Sequence, residues 1–372
     1  MTNQTRLDDR PADAVSLREA LYAGRTTPTA LVEQAIERAE AVNPQLNFIA
    51  WPCFDRARAQ AAEPRTGPLA GIPTLIKDMQ PEKGIPASFG SAALRDFIPP
   101  EDGLYARAMA VAGLISIARS TMPELGLNAV TESPLAGPTR NPWSLDYTPG
   151  GSSGGGSAAV AAGVVPIAHA SDGLGSIRHG AAPCGLVGLK PSRRRNAGEE
   201  AFKTIADLTV NGCVSRTVRD TAHWIAATQT HDPDCLPPIP LVSDPVEHSL
   251  CIHAYSRVMR SGALPDPSVQ RVFDDTVALL GRLGHNASDA ALPFDGPTAA
   301  RLLVEITEGM FTRRLGMLSQ QIGVCVKADD LEYRSATLVA AGEAIDDERY
   351  AAAWTSMEAI VAAYLGRLDQ ID

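Results

Sequence analysis

Apolar residues recur at helical spacing early in the chain. Leu31, Val32, Ala35, Ile36, Ala39 and Val42 fall on one face, Thr27 can cap, Pro28 suits the first turn, and Asn43-Pro44 predicts the stop. The pattern then shortens. Residues 71–77 form a brief apolar run rimmed by Gly and Pro, which reads as a buried strand ending on Lys77. Residues 114–118 read as a second strand, after a helix over 105–112, and residues 164–170 as a third. Strands alternating with helices predict an α/β fold with a mixed, mostly parallel central sheet flanked by helices.

Past a proline-rich connection at 232–240 the pattern turns helical. Asp266-Pro267 opens a helix expected to turn Val269, Val272, Phe273, Thr276, Leu279, Leu280 and Leu283 inward. Two more helices are expected around 299–318 and 347–368, the last with Trp354, Met357, Val361, Tyr364 and Leu368 on one face. The chain thus divides into an N-terminal helical region (1–66), a glycine-rich core (67–230) and a helical remainder of the same domain (231–372).

Composition narrows the function. A chain of 372 residues with 45% hydrophobic and 20% charged residues can bury a large core. A net charge of −10 and the lack of a basic patch argue against nucleic acid. The most apolar stretch, 158–170, is interrupted by Gly163, Pro166 and His169, so no membrane span is expected. Residues Met1 to Arg6 lack the features of a signal peptide, which leaves the cytoplasm as the expected compartment. The cysteines at 53, 184, 213, 235, 251 and 325 show no C-x-x-C pair and read as reduced thiols without metal spacing.

Three elements carry chemistry. Lys77 ends an apolar run. Gly150-Gly151-Ser152-Ser153-Gly154-Gly155-Gly156-Ser157 is a glycine/serine loop, and Asp172-Gly173-Leu174-Gly175-Ser176 is a glycine turn ending in serine. Each has a bland alternative. Lys77-Asp78 could be an exposed strand end, and the loop a flexible linker, although the apolar residues 158–162 after it argue for a buried helix. Gly150 to Gly154 formally matches the G-x-S-x-G of an α/β-hydrolase, but the residues before it are polar and end in Pro149, where that elbow needs a buried strand. No G-x-x-x-x-G-K-[ST] is present for a phosphate loop.

In this order and spacing the three elements resemble the amidase signature family, densest over residues 67–192. The resemblance implies cleavage of a carboxamide C–N bond in a small linear or cyclic amide, with no metal and no cofactor. It implies a triad of Ser176 as nucleophile, Ser152 as bridging serine on a cis peptide, and Lys77 as base. The N–H groups of Gly173, Leu174 and Gly175 would form the oxyanion hole. Lysine serves as a base only when neutral, and its ordinary pKa of about 10.4 must be lowered by burial. Arg178 and Asp172 read as a bracing ion pair, and His169 and His179 as structural or supporting residues.

The chain departs from the family at Leu174, where glycine is usual, and at Gly180, where proline is usual. A left-handed backbone at Leu174 would cost about 1–2 kcal/mol. Family members normally continue beyond the last helix into a core strand, so the resemblance makes the chain look truncated after Asp372. An uncovered sheet edge would favour self-association, which leaves a homo-oligomer open. Two other readings stay open: a decayed amidase-like protein without activity, and a glutamyl-tRNA amidotransferase A-type subunit. The stretches Arg140-Asn141-Pro142-Trp143-Ser144-Leu145 and His169-Ala170-Ser171-Asp172 look most like the 6-aminohexanoate cyclic-dimer hydrolase branch.

Overall fold

A computed structural model describes residues 12–199, 208–242, 244–323 and 325–368. The stretch read for a signal peptide, Met1 to Arg6, and the last residues, Asp369 to Asp372, lie outside the described residues. The chain forms two compact units, Met1–Ser243 with Ile322–Ser335, and Asp244–Gln321 with Ala336–Asp372.

The first unit runs α1 (Ala14–Tyr22), α2 (Pro28–Leu46), β1 (Ile49–Pro52), α3 (Phe54–Ala62), β2 (Pro73–Lys77), α4 (Leu104–Val111) and β3 (Ile115–Ser120). Two short strands follow, β4 (Glu132–Ser133) and β5 (Gly137–Pro138). Then come α5 (Gly154–Ala161), β6 (Ile167–Asp172), α6 (Arg178–Ala181), β7 (Val187–Gly188), β8 (Val210–Ser215) and α7 (Val218–Thr228). Helix α2 begins as its sequence requires, with Thr27 Oγ1 accepting the Ala30 N–H at 3.1 Å. It does not stop at Asn43-Pro44. Pro44 forfeits only its own N–H bond, and the last turn closes at Asn47, a left-handed residue with φ 52°. The Asn43 side chain then takes the N–H groups of Phe48 and Ile49 at 2.9 and 3.1 Å, leading the chain into β1.

Strand pairing is mixed. β2 runs parallel to β3, β1 antiparallel to β3, and β6 and β7 antiparallel to β8. Every residue of β2, β3 and β6 is buried, which is why these segments read as continuous apolar runs. Helices cover the strands from two sides. Val32, Ile36 and Ala39 of α2, Ala57 of α3 and Ala158 to Val160 of α5 form one core with Leu75, Ile117 and Ala168. Ala14, Tyr105, Met109 and Trp224, from α1, α4 and α7, form the other with Ile72, Ile76 and Ile167. Buried Asp220 of α7 joins that side by accepting the N–H groups of Ala14 and Val15 at 2.9 and 3.0 Å, capping α1.

The second unit contains β9 (Cys251–Ala254), α8 (Pro267–Arg282), β10 (Asn286–Asp289), α9 (Gly296–Ile322), part of α10 (Tyr333–Glu343) and α11 (Asp347–Leu368). β9 and β10 pair in parallel, joined through α8. Asp266 caps α8 through the Ser268 N–H at 2.8 Å. The inward face expected for α8 is found only in part, at Phe273 and Leu280. Val269, Val272, Leu279 and Leu283 are exposed, while Gln270, Phe273, Val277 and Leu280 are half-buried. A helix packed on two strands covers only a narrow stripe, and i, i+3, i+7 from Gln270 takes it. Along α11, Trp354 is buried, Met357 and Val361 are half-buried, and Tyr364 and Leu368 are exposed. No helix among the described residues is long and apolar enough to cross a membrane.

Candidate active site

Strand β2 delivers Lys77 into the interior, where its side chain is 1% exposed. Alternation sends the neighbouring carboxylate elsewhere: Asp78 accepts from Ser88 Oγ at 2.5 Å and sits 3.5 Å from Arg119 Nε. Lys77 Nζ donates to Ser152 Oγ at 2.7 Å and to Ser171 Oγ at 3.0 Å. The Ser171 hydroxyl in turn donates to Met79 Sδ at 3.0 Å. Burial pulls the Lys77 amine down to about 7, against the field of Asp172, which favours the ammonium.

Ser152 follows a cis peptide, Gly151–Ser152, at the entrance to α5. The loop is no flexible linker; Ser152 to Ala161 are all buried. Gly150 has φ +81°, and a Cβ there would lie 2.0 Å from the His179 carbonyl oxygen. Ser153 stitches the loop to β6, its hydroxyl donating to the Ser171 carbonyl and accepting the Ser171 N–H, both at 3.3 Å. The Ser153 N–H also donates to the Ser176 carbonyl at 3.3 Å, so the two glycine loops meet backbone to backbone.

Ser176 is half-buried at the end of the second turn. Among the described residues its hydroxyl makes no hydrogen bond to Ser152 or Lys77. Asp172 organises this turn. Its carboxylate accepts the N–H of Gly175 at 2.6 Å and of Ile177 at 3.2 Å, and takes Arg178 in a two-pronged pair at 2.9 and 3.0 Å. Burial would raise the Asp172 pKa, but the Arg178 side chain and the Gly175 and Arg178 amides hold it below the usual carboxylate range. The left-handed strain anticipated at Leu174 does not arise. Positive φ falls on Gly175, at +123°, while Leu174 is absent from the positive-φ residues and lies 44% exposed. A Cβ on Gly175 would also meet the His179 ring at 2.6 Å. Gly180 packs where a Cβ would press on Ser157 Oγ at 2.7 Å.

Two residues were not singled out as site residues from sequence, Ser171 beside the lysine and Ser153 beside Ser152. Period-two alternation in β6 places 169 and 171 on one face, the one signal that could have pointed to Ser171. Cys184 is buried, its thiol pushed up to about 12 by burial, and all six cysteines are free. No group of three or more His, Cys, Asp or Glu among the described residues could hold a metal ion.

Comparison with known proteins agrees with this architecture. The Amidase family profile matches residues 30–341. The chain is 43% identical over 290 residues to a putative amidase, AmiC, of Mycobacterium bovis, covering 76% of this chain and 60% of that protein. It therefore spans less than two thirds of the length of that relative. It is 30% identical over 356 residues to the 6-aminohexanoate-cyclic-dimer hydrolase of Pseudomonas sp., covering 91% of this chain and 72% of the other. The solved structure of a 6-aminohexanoate cyclic dimer hydrolase complexed with substrate superposes with a TM-score of 0.86 at 28% identity, over 97% of this chain and 77% of that one. With its family match, its strand-borne lysine and its two glycine–serine loops, the chain belongs to the amidase family, the amidase signature enzymes.

Proposed function

We propose that the chain hydrolyses the carboxamide C–N bond of a small linear or cyclic amide through an acyl-enzyme on Ser176. One observation carries the reading: a fully buried lysine with its Nζ 2.7 Å from Ser152 Oγ. With its pKa near 7, about half of Lys77 is neutral at neutral pH, against well under 1% for an ordinary lysine. A neutral amine donates N–H and offers one lone pair. Ser171, whose own proton goes to Met79, can only accept from Nζ, so the lone pair is left for the Ser152 proton.

Ser176 Oγ attacks the carbonyl carbon as its proton passes to Ser152 Oγ and the Ser152 proton passes to Lys77 Nζ. Collapse of the tetrahedral intermediate breaks the C–N bond, and the same path returns a proton to the leaving amine. Water then cleaves the ester by the reverse relay. Asp172 already occupies the Gly175 N–H, so the donors for the substrate oxygen are those of Gly173, Leu174 and Ser176. Each donor of this kind is worth about 10²–10³ in rate. Free cysteines suit a reducing compartment, and the reading assigns the protein to the cytoplasm.

The experiment is fluorophosphonate labelling together with hydrolysis of a panel of linear and cyclic amides, on the chain and on Ser176→Ala. Labelling and hydrolysis that vanish together in the mutant support the reading. Undiminished labelling of Ser176→Ala rejects the nucleophile, and a chain that neither labels nor hydrolyses any amide rejects the activity.

A further inference from the structure

Strands β2 and β6 lie side by side at the lysine, yet they are not paired in a backbone ladder; side chains bridge them instead. Thr74 Oγ1 donates to the Ile167 carbonyl at 2.9 Å, and the Lys77 N–H donates to His169 Nδ1 at 3.1 Å. An amide nitrogen can only donate, so Nδ1 must offer its lone pair and the imidazole proton must sit on Nε2. Nε2 finds the matching acceptor, Asn211 Oδ1 at 3.2 Å, which also receives Gln80 Nε2 at 2.6 Å. The ring packs against Tyr105 with centroids 5.3 Å apart and is 0% exposed. Both nitrogens are thus committed, and the tautomer is set from both ends.

We propose that His169 is a positioning residue for Lys77, standing in for the strand carbonyl that would otherwise hold the lysine amide and keeping Nζ on Ser152 in a water-free site. The inference rests on the reading of Lys77 as the base. Without this acceptor the Lys77 N–H is left buried and unpaired, or draws in water. Either outcome loosens the end of β2, and water beside Nζ favours the ammonium, which cannot take a proton. A protonated His169 would do the same, turning an N–H toward the amide. Burial keeps it neutral by lowering its pKa to about 3, against the Asn211 hydrogen bond. The titratable groups around it point the same way: Lys77 on β2 and Arg119 on β3 disfavour a second cation, and Tyr105 on α4 and Cys213, opposite on β8, are neutral near pH 7.

Two variants separate the roles of the two nitrogens. In His169→Asn the side-chain oxygen falls where Nδ1 was, so the acceptor for Lys77 survives. In His169→Gln the amide nitrogen falls where Nε2 was, so the Asn211 bond survives and the acceptor is lost. The measurement is an NMR titration of ε-¹³C-lysine in the full chain, with the Lys77 signal identified by its loss in Lys77→Arg, beside kcat and KM on a hydrolysed amide. His169→Gln is expected to raise the Lys77 titration by roughly one pH unit or more. It should also lower kcat about 100-fold at unchanged KM, as for a base displaced by about an ångström. His169→Asn should recover most of both losses.

Equal titration shifts in the two variants, or none in either, overturn the positioning role. If His169→Gln does not fold, His169→Leu, which also lacks the acceptor, takes its place: a Lys77 titration raised there but not in His169→Asn supports the role, and equal shifts or none overturn it. A wild-type chain whose Lys77 titrates near neutrality but which hydrolyses no amide defeats the amidase reading, and the variant titrations still decide His169.

Discussion

The N–H of Gly175 donates to Asp172 Oδ1 at 2.6 Å, so the turn that presents Ser176 is wrapped on a buried carboxylate. The carboxylate is 0% exposed, whereas Arg178, its two-pronged partner, is 52% exposed. The amides inside the turn therefore contribute more than the charge outside it, because water can replace the arginine but not them.

Asp172→Ala is accordingly expected to destabilise the protein by about 2–3 kcal/mol, leaving buried N–H groups unpaired, and to abolish hydrolysis. Arg178→Ala should cost about 1 kcal/mol or less. The Asp172 pKa is depressed on folding, so its stabilisation is present above the unfolded value of about 3.9 and is lost as pH falls through the folded one. Urea midpoints of wild type and Asp172→Ala should converge in acid; a gap that persists there would contradict the assignment.

The activity should rise with pH through about 7, the point at which the buried Lys77 loses its proton. The inflection belongs to the coupled Ser–Ser–Lys group as a whole. Lys77→Arg should stay inactive across the profile, since guanidinium does not deprotonate in a protein. A pH–rate series from 5 to 10 on both proteins checks this, and an active arginine variant would place the base elsewhere.

Stability should rise with pH as well. The Lys77 pKa is lowered on folding, so between about 7 and the unfolded value of about 10.4 the unfolded chain binds more protons, and wild-type stability rises with pH. Lys77→Met removes that dependence. The mutant should be the more stable protein at pH 7, with its advantage shrinking by up to about 1.4 kcal/mol per pH unit on the way to pH 10. Denaturation midpoints that run parallel across this range would show that Lys77 is not buried neutral.

Ser171→Ala removes the acceptor that orients the Lys77 N–H, and with it the aim of the lone pair at Ser152. A loss of roughly 10–100-fold in kcat with little change in KM is expected. Ser171→Thr, which keeps the hydroxyl, should restore most of it. Steady-state kinetics on the two variants decide; equal losses would mean that Ser171 only fills space.

Much of the site could be read before folding because its signals are local. The uninterrupted apolar run before Lys77 meant a strand buried on both faces, and β2 is buried throughout. Thr27 and Asp266 announced α2 and α8, since a cap acts within three residues of itself. Where local rules competed, they misled. Pro44 broke the expected helix on paper, yet it sits late enough in α2 to forfeit one bond and no more. Leu174 looked strained by analogy, but the chain places its positive φ one residue later, on Gly175.

The amino-acid order alone determined the three buried strands β2, β3 and β6, where the two glycine turns fall, and that a lysine and two serines stand at their ends. What it could not determine is the company each side chain keeps. Ser171 and His169 share a face of β6 by alternation, but what faces them is β2, more than 90 residues earlier in the chain. That juxtaposition exists only once both strands are packed between the helices, and so do its consequences. Burial lowers the lysine pKa, Ser171 aims the amine at Ser152, and His169 replaces a missing ladder bond. Propensity and periodicity act over a few residues, whereas desolvation and hydrogen bonding across strands depend on distances that only tertiary packing sets.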